Sequence, residues 1–177
     1  MTDLIPKHSG FRKLRSFQTA QKVYDGTVIF CNKYISKFSR THDQMVQAAR
    51  SGVQNIAEGS LASATSKKTE IKLTNVARAS LGELLLDFED YLRQKGLRQW
   101  DKNSPEALKM RVAFSEESDM SDWSDWSDEK LANTLICLTN QASYLLWKQI
   151  KRLEEDFLNE GGFTEKLYNS RKKSRGY

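Results

Sequence analysis

The fold of this chain is decided by the stretch SKKTEIKLTNVARASLGELLLDFEDYLRQKG, residues 66–96. Ser66 is a suitable N-cap, and Glu70 lies in the first turn, where an acid is favourable. Apolar and small residues recur every three or four positions, the period of a helix with one buried stripe: Ile71, Val76, Ala77, Ser80, Leu81, Leu84, Leu85, Phe88 and Leu92. The stretch therefore predicts a helix of about 29 residues and about 43 Å that extends to about Gly96, a length typical of a helical bundle.

The same period precedes this stretch. A first predicted helix spans about 16–38, and its apolar positions are Phe17, Ala20, Tyr24, Val28, Cys31, Ile35 and Phe38. A second predicted helix begins at Thr41, which has the pattern of a capping box with Gln44, and stops near Gly59, a suitable terminal glycine. Its inward positions are Met45, Ala49, Gly52, Val53 and Ile56.

A last long helix is predicted over 128–158. Ser127 is its cap, Asp128 and Glu129 are acids in its first turn, and Gly161 follows its end. Its apolar positions are Leu131, Leu135, Leu138, Ala142, Leu145, Leu146, Ile150, Leu153 and Phe157.

Composition agrees with long helices. Only 2 of the 177 residues are proline and 9 are glycine, which leaves few turn formers for a many-stranded sandwich or barrel. The sequence predicts an all-α fold, an antiparallel up-down four-helix bundle with an acidic insert between helices 3 and 4. The predicted division is an N-terminal arm (1–15), bundle helices 1 to 3 (16–98), the acidic insert with a short helix (99–127), bundle helix 4 (128–158) and a basic C-terminal suffix (159–177).

The predicted insert differs from the rest of the chain. Ser104-Pro105-Glu106 is a good helix start, and a short helix to about Phe114 is expected. A Ser-Asp pair then recurs four times with a period of three over residues 118–128, which predicts an irregular loop. The repeat has two interpretations. In the first, it mimics a nucleic-acid backbone or covers a basic face of the protein in the unbound state. In the second, it is a solvated loop whose Trp123 and Trp126 pack onto the bundle.

Patterns typical of catalysis and metal binding are absent from the sequence. Neither histidine has partners at the spacing of a triad or ligand set, and no phosphate-binding glycine motif occurs. Cys31 and Cys137 form no metal-binding pair and fit a reduced cytoplasm. We expect no enzyme, no metal and no cofactor. An enzyme of unrecognised type would direct attention first to His42, Glu58 and Arg78. The apolar runs are too short for a membrane span, so we expect a cytoplasmic protein without a membrane partner.

Charge is distributed unevenly along the chain. The net charge is +5, but residues 101–129 hold 3 basic and 9 acidic side chains, so the remaining residues carry +11. Basic residues form four clusters: Arg12, Lys13 and Arg15; Lys67, Lys68 and Lys72; Lys148, Lys151 and Arg152; Arg171, Lys172, Lys173 and Arg175. They indicate either phosphate contacts along nucleic acid, or solvated helix faces and a solubilising tail. Lys67 and Lys68 favour the first interpretation because they oppose a helix dipole without evident local compensation.

Several motifs resemble one known family. They are Arg50-Ser51, Asn55-Ile56-Ala57-Glu58-Gly59, Ala77-Arg78-Ala79-Ser80, Glu83-Leu84, the opening Gly10-Phe11-Arg12-Lys13-Leu14, and Gly161-Gly162-Phe163-Thr164-Glu165-Lys166-Leu167-Tyr168 with Arg171. The sequence is similar to the bacterial four-helix bundle family, also called the ribosomal-RNA intervening-sequence protein family. That family includes the accessory variability determinant of diversity-generating retroelements. The last motif is similar to the suffix domain of a longer branch.

The resemblance implies an up-down bundle, a ring-shaped homopentamer in several members, and no known enzymatic activity. In the retroelement branch it implies binding to nucleic acid and to a reverse transcriptase. We expect the fingerprint residues to have structural roles: Gly59 as a left-handed helix end, Asn55 and Ser80 as polar groups that pair across helices, and Glu58 as a partner of Arg50 or Arg78. The full fingerprint is Arg50, Asn55, Glu58, Gly59, Arg78, Ser80 and Glu83.

Two functional hypotheses follow. In the first, a homo-oligomer, expected to be a pentamer, binds RNA or DNA through its basic clusters as an accessory to a reverse transcriptase or another nucleic-acid enzyme. In the second, the oligomer is a structural or protein-interaction adaptor without nucleic-acid binding. The geometry of the charges distinguishes them, since one contiguous basic surface favours the first hypothesis.

Overall fold

The computed structural model describes residues 10–115 and 121–175, and these residues are helical without any strand. The all-α prediction is confirmed for them. The helices are α1 (Arg15–Tyr34), α2 (Arg40–Ala62), α3 (Lys67–Lys95), α4 (Pro105–Ser115), α5 (Asp128–Glu160) and α6 (Phe163–Ser174), with short 3₁₀ turns at Phe11–Lys13 and Ser121–Asp125.

Four long helices enclose one hydrophobic core. α1 packs against α2 and α5, and α3 packs against the same two helices. The largest fully buried side chains come from all four helices and from the segment before α5: Phe30, Met45, Ile56, Leu81, Leu84, Phe88, Leu92, Trp123, Leu131, Leu135, Leu138 and Leu146. Burial of these stripes is the main source of stability, because isolated helices are marginal in water.

Helix α3, the long helix predicted between Ser66 and Gly96, has the predicted bounds. Ser66 Oγ accepts a hydrogen bond from the Thr69 amide at 3.1 Å. Gly96 ends α3 with a φ of +66°, a conformation that favours glycine. Ser127 Oγ likewise accepts from the Lys130 amide at 3.3 Å, as predicted for the start of α5. Both predictions are correct because capping depends on neighbouring residues alone.

The prediction for the junction of the first two helices is wrong. α1 ends at Tyr34 rather than at 38, and the Ser39 amide donates to the Ser36 carbonyl in a turn. Ser39, not Thr41, is the N-cap of α2, because its Oγ accepts from the Thr41 amide at 3.2 Å. Phe38, predicted to be buried, is 100% exposed in this turn.

The predicted end of the second helix is also wrong. Helix α2 continues through Gly59 to Ala62. Gly59 is buried against α3, and a Cβ at this position would lie 3.3 Å from both the Glu70 carbonyl oxygen and Leu73 Cβ. The glycine therefore permits close packing of two helices, rather than a left-handed helix end.

The insert is more ordered than the predicted loop. Ser104 Oγ caps α4 by accepting from the Ala107 amide at 3.2 Å. The Ser121–Asp125 turn carries Trp123, which is only 2% exposed, and Trp126 packs against the core. This packing confirms the predicted contact of the tryptophans with the bundle. The start of the Ser-Asp repeat in residues 116–120 lies outside the described residues, as do residues 1–9 of the predicted arm and residues 176–177 of the suffix.

Candidate nucleic-acid interface

The four basic clusters lie at helix ends. One is at the start of α1, one at the start of α3, one near the end of α5 and one on α6. Every member is solvent-exposed except Lys67, which is partly buried. A cluster at a helix end extends from the bundle and is accessible to an extended polyanion.

Contacts between helices bring these ends together. Ser16 Oγ at the start of α1 donates to Gln149 Oε1 of α5 at 2.8 Å, next to Lys148. Lys67 Nζ at the start of α3 forms an ion pair with Asp156 Oδ2 of α5 at 3.7 Å. The first three clusters therefore lie around one end of the helices, and α6 begins two residues after α5 at the same end.

We define the basic end as residues 10–25, 51–80 and 140–175. The opposite end, residues 26–50, 81–115 and 121–139, contains the described part of the acidic insert and is called the acidic end. The basic end has 16 basic and 8 acidic residues, a net charge of +8, whereas the acidic end has 11 basic and 11 acidic residues, a net charge of zero. The first three clusters, separated by up to about 140 residues in sequence, thus form one electropositive region at the end from which α6 starts, and such a region attracts a polyanion.

Lys67 has compensation that the sequence did not reveal. Its ion pair with Asp156, which lies on a distant helix, offsets the unfavourable helix dipole. Glu70, one turn later, is buried, and this burial raises its carboxyl pKa. Lys67 opposes that shift, whereas Asp156 adds to it. Within this cluster, Lys68 and Lys72 are the exposed cations.

The remaining clusters are held only by weak surface interactions. Lys151 Nζ contacts Glu154 Oε2 at 2.9 Å, and the Arg12 guanidinium lies 4.7 Å from the centre of the Phe11 ring. Exposed pairs of this kind contribute about 0–1 kcal/mol each. Helix α6 has no buried residue, and Arg171, Lys172, Lys173 and Arg175 are all exposed. Little free energy is therefore lost when these side chains leave their present contacts and bind phosphates instead.

The fingerprint residues lie mainly along α2 and α3. Ser51 Oγ and Ser80 Oγ are 3.0 Å apart and link the two helices, while Asn55 Nδ2 donates to Ser51 O at 2.9 Å. Asn55 therefore supports Ser51 within its own helix and reaches α3 only through it. Arg50 Nη1 donates to Gln54 Oε1 at 2.8 Å.

The other fingerprint side chains are on the surface. Glu58, Arg78 and Glu83 are exposed. In residues 10–115 and 121–175, Glu58 forms no ion pair with Arg50 or Arg78, contrary to the expectation. Glu83 lines a shallow polar groove between α2 and α3 together with Ser51 and Ser80.

The residues named for an unrecognised enzyme do not converge. His42 lies at the start of α2 and Glu58 lies 16 positions later on the same helix, a separation of about 24 Å. The His42 ring nitrogens lie 3.3 Å from Asn32 Oδ1 and 3.4 Å from Asp43 Oδ1. Within the described ranges, no group of three or more His, Cys, Asp or Glu side chains could hold a metal ion.

One surface feature was missed by the sequence analysis. Tyr144 and Trp147 on α5 are exposed and stacked, with ring centres 6.0 Å apart and an interplanar angle of 22°. Neither position belongs to the apolar stripe of α5. The sequence therefore already indicated two aromatic side chains outside the core-facing side of this helix. We call these two residues the aromatic pair.

The aromatic pair adjoins a cleft of about 910 Å³ between α5, α4 and the segment before α4. One wall is the segment before α4, and the buried Asn133 anchors it. Asn133 Oδ1 accepts from the Trp100 amide at 2.7 Å, and its Nδ2 donates to the Arg98 carbonyl at 2.8 Å. Arg111 of α4 donates to the Lys102 carbonyl. We call this the side cleft. It is lined by Glu89, Gln99, Trp100, Asp101, Lys102, Ala107, Arg111, Ile136, Cys137, Asn140, Gln141 and Tyr144.

The chain matches no protein-family model, no curated protein and no solved structure. In the ranges that the structure describes, no helix is both long and apolar enough to cross a bilayer.

Proposed function

We propose that this protein binds RNA or DNA through its basic end. The observation that carries the proposal is the grouping of exposed cations from three separate segments around one end of the helices, from which the basic helix α6 continues, with a net charge of +8 for this end and α6 together. Neutralised phosphates release condensed counterions, so clustered lysines and arginines supply affinity that does not depend on sequence. The scattered arrangement expected of a solubilising surface would not give this asymmetry.

Salt dependence of binding tests the proposal. Fluorescence anisotropy with a labelled RNA should show strong binding at low salt, and log affinity should fall linearly with log salt. The double variant Lys68→Gln/Lys72→Gln should weaken binding and flatten the slope by about 1.4–1.8, because two phosphate contacts are lost. Both lysines are exposed, so folding should be unaffected.

A matched control is available at the acidic end. Lys37 and Lys109 are also exposed, and Lys37→Gln/Lys109→Gln removes the same charge. This variant should bind with nearly the native affinity and slope. Equal losses in the two double variants would mean that only net charge matters, and no binding at low salt would leave the protein-interaction adaptor as the better hypothesis.

We further propose an antiparallel up-down order for α1, α2, α3 and α5. Supporting contacts are Ser16 with Gln149 at one end, and the Tyr91 hydroxyl with Asp128 Oδ2 at 3.0 Å near the other. The sequence resemblance supports membership of the bacterial four-helix bundle family, assembly as a homopentamer and a role beside a reverse transcriptase. Light scattering measures the assembly, and co-purification with a reverse transcriptase tests the partner.

A further inference from the structure

The outward face of α5 carries exposed aromatic and basic side chains next to one another. Its core-facing side is Leu135, Leu138, Ala142, Leu146, Ile150 and Leu153. Its outward side carries Asn140, Tyr144, Lys148 and Lys151 at spacings of three and four, so these side chains follow one line along the helix. That line runs from the side cleft to the basic end.

The aromatic pair is exposed where burial would be expected. Tyr144 is 54% exposed and Trp147 is 41% exposed, although tryptophan usually loses most of its surface on folding. Their rings stack on each other with near-parallel planes, and both side chains remain exposed to solvent. Exposed, rigid aromatic side chains next to cations are typical of surfaces on which unpaired bases stack.

Cations follow this surface toward the basic end. Lys148 Nζ lies 5.1 Å from the centre of the Tyr144 ring, and Lys151 follows one turn later. On the other side, Lys102 and Arg111 line the side cleft, where Glu89 and Asp101 balance their charge. An unpaired strand could therefore stack its bases on the rings while its phosphates contact lysines that are already in place.

The side cleft is suited to a base rather than to a phosphate. It contains aromatic Trp100 beside Tyr144, and its volume of about 910 Å³ exceeds that of a nucleotide. Glu89 and Asp101 also line it and repel a phosphate, but their oxygens can accept from the amino groups of a base. The backbone of Trp100 is held by the buried Asn133, which keeps this wall in position.

We propose that α5 carries a binding site for unpaired RNA or DNA, in which bases stack on Tyr144 and Trp147 and one base enters the side cleft beside Trp100. Lys148 and Lys151 contact the phosphates. This inference rests on the proposed nucleic-acid binding and adds a preference for single strands. A duplex keeps its base faces stacked internally and can use only the cations.

The test compares a fluorescein-labelled oligoadenylate with a duplex of equal length in anisotropy titrations. Tyr144→Ala/Trp147→Ala should lower the affinity for the single strand at least about fivefold, with little change for the duplex. Tyr144→Phe/Trp147→Phe should restore most of the affinity, because an aromatic ring is sufficient for stacking. Phe38→Ala is the control, since Phe38 is a fully exposed aromatic residue at the acidic end.

The outcomes separate this inference from the proposed function. Equal losses for single strand and duplex, or no loss for either, would overturn the aromatic site while phosphate binding stands. Binding of neither probe by the native protein would overturn the proposed function first. A change in oligomer mass of the alanine variant, with strand preference unchanged, would assign the aromatic pair to a subunit contact and also overturn the site.

Discussion

The basic and acidic ends of the molecule use their polar side chains differently. At the acidic end, Lys33 Nζ donates to the Ser124 carbonyl at 2.6 Å, Tyr34 donates to the Trp126 carbonyl, and Asn133 holds the segment before α4. At the basic end, polar contacts such as Ser16 with Gln149 join the long helices, and basic residues outnumber acidic ones by eight. One end thus uses polar side chains to anchor the segments on either side of α4, and the other concentrates net positive charge.

The largest expected effect is at the acidic end. Trp123→Ala should lower the free energy of unfolding by about 3–5 kcal/mol, because its ring is buried against Gly26 and Leu135 and the deletion leaves a cavity. Urea denaturation followed by circular dichroism measures the change. Trp147→Ala is the matched control, and this exposed residue should cost less than about 1 kcal/mol. Equal costs would contradict the contrast between the two tryptophans.

A smaller effect is expected from the polar network of the acidic end. Asn133→Ala should cost about 1–3 kcal/mol, because the Trp100 amide and the Arg98 carbonyl lose a buried partner. Asn75→Ala, at an exposed position of α3, should be near neutral in the same denaturation experiment. A neutral Asn133→Ala would show that the segment before α4 needs no anchor.

The smallest effect concerns Glu70, a buried acid at the basic end. Burial raises the pKa of Glu70 above its ordinary value of 4.5, so ionisation at neutral pH opposes folding. This penalty is absent below the unfolded-state pKa and develops as pH rises through the higher folded-state pKa. Glu70→Gln should therefore stabilise the protein by less than about 1 kcal/mol near pH 7 and have no stabilising effect below about pH 4.

Chemical denaturation at both pH values checks this sign. Glu58→Gln, at an exposed position of α2, is the control and should be neutral at each pH. Destabilisation by Glu70→Gln near pH 7 would mean that the attraction of Lys67 outweighs the cost of burial.

Sequence reasoning succeeded where the cause is local. Ser66 and Ser127 were recognised as caps because an N-cap needs only the next three residues. It failed at Phe38, whose helical spacing predicted a buried position but which lies exposed in a turn. It also failed at Gly59, because a glycine near a predicted helix end can either end the helix or permit close packing within it. Gly59 is favoured because α3 packs closely against α2 there and leaves little room for a side chain. That contact cannot be read from the sequence of α2.

The candidate site was predicted in part. All four basic clusters are visible in the sequence, but Lys67 is paired with Asp156 from a distant helix, which spacing cannot reveal. The aromatic pair could have been found by asking which aromatic residues of α5 lie off its apolar stripe. The side cleft could not, because its walls come from α3, α4, α5 and the segment before α4, which Asn133 holds in position.

The sequence alone determined that this chain is helical, where α3 begins and ends, and that its charge is uneven, because periodicity, capping and composition are local properties. Contacts between the helices were needed to show that the first three basic clusters share one end, that Trp123 is buried while Trp147 is exposed, and that Trp100 and Tyr144 line one cleft. Contacts between residues far apart in sequence depend on which helix faces meet, and that is settled by burial of the whole core.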